Sequence, residues 1–192
     1  MKRGLYVILN GPPGSGKDAI ANQIRVSGCS SFIRTHHAEI KEELFKQALA
    51  ISGISRKEWF DRYDDRELKE KPWKRLGMLS QREFMIKLSE NFTKPIFGKE
   101  FYGMLAADSH LSKIRMGDLV IFSDGGFQEE LEAMAKIVGS EQIFVVRLHR
   151  EGCSFDKDSR DYLEWPNSVD IHNDRALLET VSRVKHAILK KQ

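Results

Sequence analysis

The strongest constraint on the fold is the run LYVILNGPPGSGKDAI at residues 5–20. Leu5 to Leu9 are unbroken apolar residues, the pattern of a strand buried on both faces. A glycine-rich turn follows at once. Helical spacing then runs from Lys17 to Val26, with Ile20, Ala21 and Ile24 on one stripe. Gly11, Gly16 and Lys17 match G-x-x-x-x-G-K, a loop whose backbone N–H groups, here also of Gly14 and Ser15, turn inward around a phosphate. The helix N-terminus behind the loop and the Lys17 ammonium add positive charge. A plain tight turn would explain the glycines but not a lysine in that register. Asp18 is the departure, because most such loops carry there a Ser or Thr whose hydroxyl holds magnesium.

Further short strands are predicted over Ser31–Thr35, Leu119–Ser123, Ile143–Leu148 and Val169–Ile171. Between them lie amphipathic helices. Glu39–Ile51 places Ile40, Leu44, Ala48 and Ile51 at helical spacing. Ser80 caps a helix with Glu83 as its capping-box partner, and Phe84, Met85, Leu88 and Phe92 form the expected buried stripe. Helices are also predicted over Lys99–Ile114, Phe127–Val138 and Asp174–Lys190, with short helices and surface loop over the charge-dense Ser55–Pro72. Such alternation predicts an α/β fold, a parallel sheet flanked by helices in three layers, with ligands at the carboxyl ends of the strands. We read one domain: a core of 1–37 and 117–192, a helical region of about 38–116 and a lid of about 149–165.

Hydrophobic residues at 41% and charged residues at 31% exclude a disordered chain, and a net charge of +3 spread among mixed signs argues against a nucleic-acid partner. Cys29 and Cys153 fit no metal spacing, and a reduced thiol pair is expected. The basic start before Leu5 leads into Gly-Pro-Pro rather than a cleavage site, and no apolar run approaches the roughly 20 residues of a membrane span. A soluble, cytoplasmic protein is expected.

Three features fall at strand ends: the glycine loop, Asp124, and the region from Arg147 to Arg150. Asp124 reads either as the acid that holds magnesium in phosphate-loop enzymes or as an ordinary turn residue before Gly125 and Gly126. Arg147, His149, Arg150, Lys157 and Arg160 read as a mobile lid that brings cations to a migrating phosphoryl group, or as a solvated loop. By position alone Lys41 and Arg82 are surface charges, though either could grip a second phosphate. Trp59, Trp73, Phe84 and Phe101 read as core rather than base-stacking residues. His36 and His37, with no third ligand at metal spacing, read as structural, or at most as lining an acceptor pocket.

The stretches GPPGSGKDAI, DDRELKEKPWKRLG with LSQREFM, FSDGGFQEE and FDKDSRDYL resemble, in that order, the deoxynucleoside monophosphate kinases of DNA phages and prophages, within the P-loop nucleoside monophosphate kinase superfamily. The Gly-Lys-Asp loop and DRELKE before a Ser-x-Arg helix carry most of the resemblance. It implies a nucleoside monophosphate kinase-like fold, ATP and Mg2+ as cofactors, and transfer of the γ-phosphate to a deoxynucleoside monophosphate, in the host cytoplasm for a phage-encoded chain. Lys17 would bridge the β- and γ-phosphates, Asp18 and Asp124 would hold magnesium, Lys41, Arg66, Lys69 and Arg82 would surround the acceptor, and Arg150 and Arg160 would act from the lid. A homodimer is compatible with this reading. The chain departs from the pattern in the run Met-Ile-Lys-Leu-Ser-Glu after Arg82's turn, where many relatives have a Gln-x-Leu-Gly-Thr-Glu type of run. It departs again at Gly126, where relatives often have Arg. Two alternatives stay open: a kinase of another phosphorylated small molecule, such as phosphomevalonate, and a nucleotide-binding module without catalysis.

Overall fold

The computed structural model describes residues 4–156 and 158–191, so Lys157 of the predicted lid lies outside the described residues. The chain divides into two compact units, Met1–Ile40 with Gly103–Gln192, and Lys41–Tyr102.

The first unit is built on a five-stranded sheet, every pairing parallel, in the order β2-β3-β1-β4-β5. The strands are β1 (Leu5–Asn10), β2 (Thr35–Ala38), β3 (Leu119–Phe122), β4 (Ile143–His149) and β5 (Ser168–His172). The helices are α1 (Lys17–Ser27), α2 (Lys41–Ser52), α3 (Arg56–Tyr63), α4 (Gln81–Lys87), α5 (Lys94–Phe97), α6 (Phe101–Arg115), α7 (Gln128–Val138) and α8 (Leu177–Lys191). Every residue of β1 and β3 is buried, as their unbroken apolar runs require for central strands. Alternate β1 residues serve opposite faces. Leu5, Val7 and Leu9 pack with Ile20 and Ile24 of α1 and Val181, Val184 and Ile188 of α8. On the other face Tyr6 meets Phe122 edge to face at 5.3 Å and donates its hydroxyl to Ala107 O of α6 at 2.7 Å. The sheet thus lies between helical layers, the α/β arrangement expected from the sequence. The chain goes to one side of β1 for β2 and β3 and to the other for β4 and β5. This places the switch in strand order at β1, where a parallel sheet opens its ligand crevice.

The second strand corrects the sequence expectation. Residues 31–34 turn, and β2 starts at Thr35. As an edge strand it tolerates the polar sequence Thr-His-His-Ala, while Phe32 reaches the core from the turn.

In the second unit Phe45, Ala48, Ile54, Trp59, Leu76, Met85 and Leu88 form the core. Phe60 and Tyr63 approach Phe45 edge to face at 5.0 and 4.9 Å, which draws α2 onto its Phe45–Ala48 side and leaves Ile51 exposed. Ser80 and Glu83 form the full capping box at the start of α4. The expected stripe then breaks at Phe92, which is exposed. A π-helical turn over Leu88–Thr93 advances the buried position by one residue, to Ser89 and Thr93. Thr93 Oγ1 donates to Gln47 Oε1 at 2.9 Å, as does the Tyr102 hydroxyl at 2.6 Å.

Candidate functional site

The glycine loop leaves β1 and ends at Gly16, whose φ of 92° lies in the left-handed region that a side chain disfavours. A Cβ there would also meet Asn173 Nδ2 at 2.6 Å. Asn173 follows β5, donates to Ser15 O at 2.8 Å, and accepts from Thr180 Oγ1 at 2.9 Å. The loop is therefore braced from the far edge of the sheet.

Lys17 folds back over the loop, and its Nζ donates to Gly11 O at 2.5 Å, Pro12 O at 2.8 Å and Ser15 Oγ at 3.2 Å. Burial pushes the Lys17 ammonium down to about 8, and the Arg160 guanidinium adds to the shift. Asp18, Asp158 and Asp124 oppose it. Asp158 and Arg160, the helix acid Asp18 and the strand-end acid Asp124 thus act on the same ammonium as the loop.

The Arg160 side chain forms two bonds with Asp158, Nε donating to Oδ1 at 2.8 Å and Nη2 to Oδ2 at 2.6 Å, and its backbone amide a third, to Oδ1 at 3.1 Å. That pairing raises the Arg160 pKa and holds the Asp158 carboxyl below its usual range, each opposed by partial burial. The arginine lies over Gly126, where a Cβ would come within 2.5 Å of Arg160 Cδ and 2.8 Å of its Cβ. Gly126, which on the resemblance removes a phosphate contact, is the space that Arg160 occupies. Arg150 reaches the loop directly, donating from Nη1 to Gly14 O at 3.0 Å.

Among the described residues, the other two predicted lid cations are placed elsewhere. Arg147 sits on β4 opposite Asp170 of β5 and binds it with Nε at 3.0 Å and Nη2 at 2.6 Å. His149 Nε2 lies 2.6 Å from the same carboxylate. The Arg147 bonds, helped by His149, hold the Asp170 carboxyl below its usual range. This cluster ties β4 to β5.

Beyond β3, Ser123 Oγ donates to Asp18 Oδ1 at 2.7 Å, and Asp124 Oδ1 accepts from the Ile40 amide at 2.7 Å. The oxygens of Asp18 and Asp124 are of the kind that suits a hard divalent cation. His36 Nε2 pairs with buried Asp118 at 2.7 Å, a structural role. His37 does more than the sequence indicates, since it reaches Ser123 and, with Glu39, converges on Asp18.

Asn10 is a buried residue that sequence reasoning missed. Its Nδ2 donates to Gly125 O at 3.2 Å and Asp161 O at 3.0 Å, and its Oδ1 accepts from the Leu163 amide at 2.9 Å. It joins the loop strand, the turn after β3 and residues 161–163 of the predicted lid. Its one sequence signal is a polar residue ending an otherwise apolar strand. Ser123 carries the same signal at the end of Leu119–Ser123, whereas Asn173 carries none.

Lys41, Arg66, Lys69 and Arg82 all belong to the second unit. Lys41 opens α2, and Arg66 is exposed in the turn before Leu68–Glu70. Lys69 Nζ lies 5.4 Å from the Tyr63 ring centre, and Arg82 Nη1 donates to Glu70 Oε1 at 3.3 Å. Trp59 is buried in the core of this unit, as expected.

A parallel sheet in this order, with a glycine loop and lysine after its first strand, defines an α/β protein of the P-loop kinase fold. Two solved structures carry the comparison further. The APS kinase CysC of Mycobacterium tuberculosis, in complex with AMPPNP and APS, is 13% identical with a TM-score of 0.59, over 98% of this chain and 99% of that one. A cysteine-to-alanine mutant of the same kinase gives 14% identity and a TM-score of 0.55 over the same shares. At such identity the likeness establishes the fold. No protein-family model matches the chain, and no curated protein matches it. Among the described residues no helix is long and apolar enough to cross a membrane.

Proposed function

We propose that the chain is a phosphotransferase that moves the γ-phosphate of ATP to a deoxynucleoside 5′-monophosphate. The observation that carries this reading is the convergence on Lys17 of groups from separate segments: the loop carbonyls, Asp18, Asp124 and the lid pair Asp158–Arg160. A binding loop needs the first of these. A cation delivered by a lid serves the charge that develops as a phosphoryl group migrates.

In this reading the loop amides and Lys17 hold the β- and γ-phosphates, and Lys17 exchanges its loop carbonyls for phosphate oxygens. Arg160, released from Asp158, and Arg150 neutralise the transferring group. A divalent cation bound through Asp18 and Asp124 would screen the triphosphate. No general base is required, because the acceptor phosphate is already ionised. Positioning and charge neutralisation supply the rate. The resemblance of DRELKE and the Ser-x-Arg helix supports Lys41, Arg66, Lys69 and Arg82 as the acceptor's basic contacts. It also supports the nucleotide as acceptor.

The test is ADP release measured by a coupled assay across a panel of dNMPs, the corresponding NMPs and non-nucleotide acceptors, including APS and phosphomevalonate. Turnover with one or more dNMPs is expected. Turnover only with a non-nucleotide acceptor would transfer the reading to another small-molecule kinase. No turnover with any of them, together with intact ATP binding, would leave a binding module.

A further inference from the structure

Asp18 has a second set of neighbours besides the loop. His37 lies in β2, Glu39 follows that strand, and Asp18 is the second residue of α1. One ligand atom from each lies within 4.8 Å of the others, a group of three among the described residues. The strand order creates this meeting. β2 pairs with β3 in the register His37–Ile121 and Ala38–Phe122, which puts Glu39 level with Ser123, just past the end of β3, and leaves the His37 side chain within reach of the Ser123 hydroxyl. Three donors held at about 2.0–2.2 Å from one ion lie roughly 3–3.8 Å apart, so side-chain closure of up to about 1–2 Å brings the group into coordination range.

The surrounding hydrogen bonds orient the imidazole. Ser123 Oγ gives its only proton to Asp18, so it accepts from His37 Nε2 across 2.8 Å. A neutral ring with its proton on Nε2 carries its lone pair on Nδ1. A ligating histidine usually gives its other ring N–H to such a partner, which fixes ring and tautomer. The same hydroxyl orients the Asp18 carboxylate.

The donor set is one imidazole nitrogen and two carboxylates. Mg2+ takes oxygen ligands in a strict octahedron and keeps several waters, so it gains little from His37. Mn2+ and its first-row neighbours accept oxygen and imidazole together.

We propose that Asp18, His37 and Glu39 form a binding site for a divalent transition-metal ion, typified by Mn2+, beside the phosphate loop. Binding of the ion itself rests only on these three side chains. Its use in phosphoryl transfer rests on the proposed kinase reading, because Asp18 follows Lys17 directly. The ion would then lie at the loop's phosphate side and would favour Mn2+ over Mg2+ at limiting concentration.

The experiment is isothermal titration of the metal-stripped full chain with MnCl2 and with MgCl2, without nucleotide, alongside the paramagnetic signal of bound Mn2+. Wild type is expected to bind one Mn2+ per chain at least tenfold more tightly than Mg2+. His37→Ala and Glu39→Gln, each checked for native circular dichroism, are expected to weaken Mn2+ at least tenfold, with Mg2+ little changed for His37→Ala. If either variant misfolds, the wild-type preference and the nitrogen hyperfine coupling of its bound Mn2+ decide the point. Equal affinity for the two ions, absence of nitrogen coupling, or unchanged Mn2+ binding in a folded His37→Ala would overturn the proposal. No arm contains nucleotide, so failure of the kinase reading leaves the outcome readable. Conversely, the acceptor assay run in Mg2+ reads the kinase proposal whether or not the metal-stripped chain prefers Mn2+.

Discussion

At the residue scale the site turns on Lys17 and Arg160. Lys17 is held low, at about 8 against an ordinary 10.5, because burial and the nearby Arg160 guanidinium disfavour its charge. Its folded value lies below its unfolded one. Between the two the unfolded chain keeps a proton that the folded chain has released, so this group's contribution to stability rises with pH in that window and opposes folding below it. A triphosphate against the ammonium reverses the shift. ATP binding at pH 8.5–9 is therefore expected to take up a fraction of a proton, falling toward zero by pH 7. Titration calorimetry in buffers of differing ionisation enthalpy reads this directly, and Lys17→Met should abolish it. The same variant loses a charged hydrogen-bond donor, worth about 1.5–3 kcal/mol, and should bind ATP roughly 10–150-fold more weakly. Gly126→Ala places a methyl 2.5 Å from Arg160 Cδ. A displacement of about 1 Å at a catalytic group costs up to about 100-fold in rate. We expect kcat to drop at least tenfold while the ATP dissociation constant stays within about twofold. Equal losses in both would show that the residue serves binding rather than transfer.

At the scale of elements, legibility depended on how local the signal was. The glycine loop and α1, the apolar strands β1 and β3, and the Ser80–Glu83 capping box are written in contiguous residues, and the structure forms them as read. Ser80→Ala should destabilise the protein by about 1 kcal/mol, since it removes one cap bond and releases its Glu83 partner. Urea denaturation reads that shift. Trp59→Ala, in the core of the second unit, should cost roughly 3–5 kcal/mol. Melting of that unit should be the first sign, as early proteolysis between 41 and 102. The elements misread were those whose outcome lay outside their own windows. β2 formed later than expected because an edge strand needs pairing to β3 more than apolar residues. Phe92 lost its buried place to a π-turn that lets Thr93 reach Gln47.

At the scale of the molecule, the strand order assembles the site. β1 stands between β3 and β4, so the loop after β1, the acid after β3 and the lid after β4 emerge at one edge. Asn10 joins all three. Asn10→Leu keeps the number of side-chain heavy atoms but removes every side-chain hydrogen bond of this buried residue and leaves its partners unsatisfied. It should lower stability by roughly 2–4 kcal/mol by the same reasoning. It should also raise amide exchange in 158–163 and at Gly125, measured by hydrogen exchange with mass spectrometry. Protection unchanged in the lid would mean that Asn10 does not hold it.

The sequence by itself determined the α/β class, the glycine loop with Lys17 between β1 and α1, and the presence of an acid at the end of β3 and of arginines after β4. These follow from neighbouring residues, because strand burial, helical periodicity and loop backbone geometry are set over a few positions. Only the tertiary structure decided which charges meet. It sent Arg147 and His149 to Asp170 as a strand-to-strand clamp, brought Arg150 and Arg160 to the loop side, seated Arg160 over Gly126, and drew His37 and Glu39 to Asp18. Those meetings depend on sheet register and strand order. These are set by the packing of the whole core, and no local stretch of sequence specifies them.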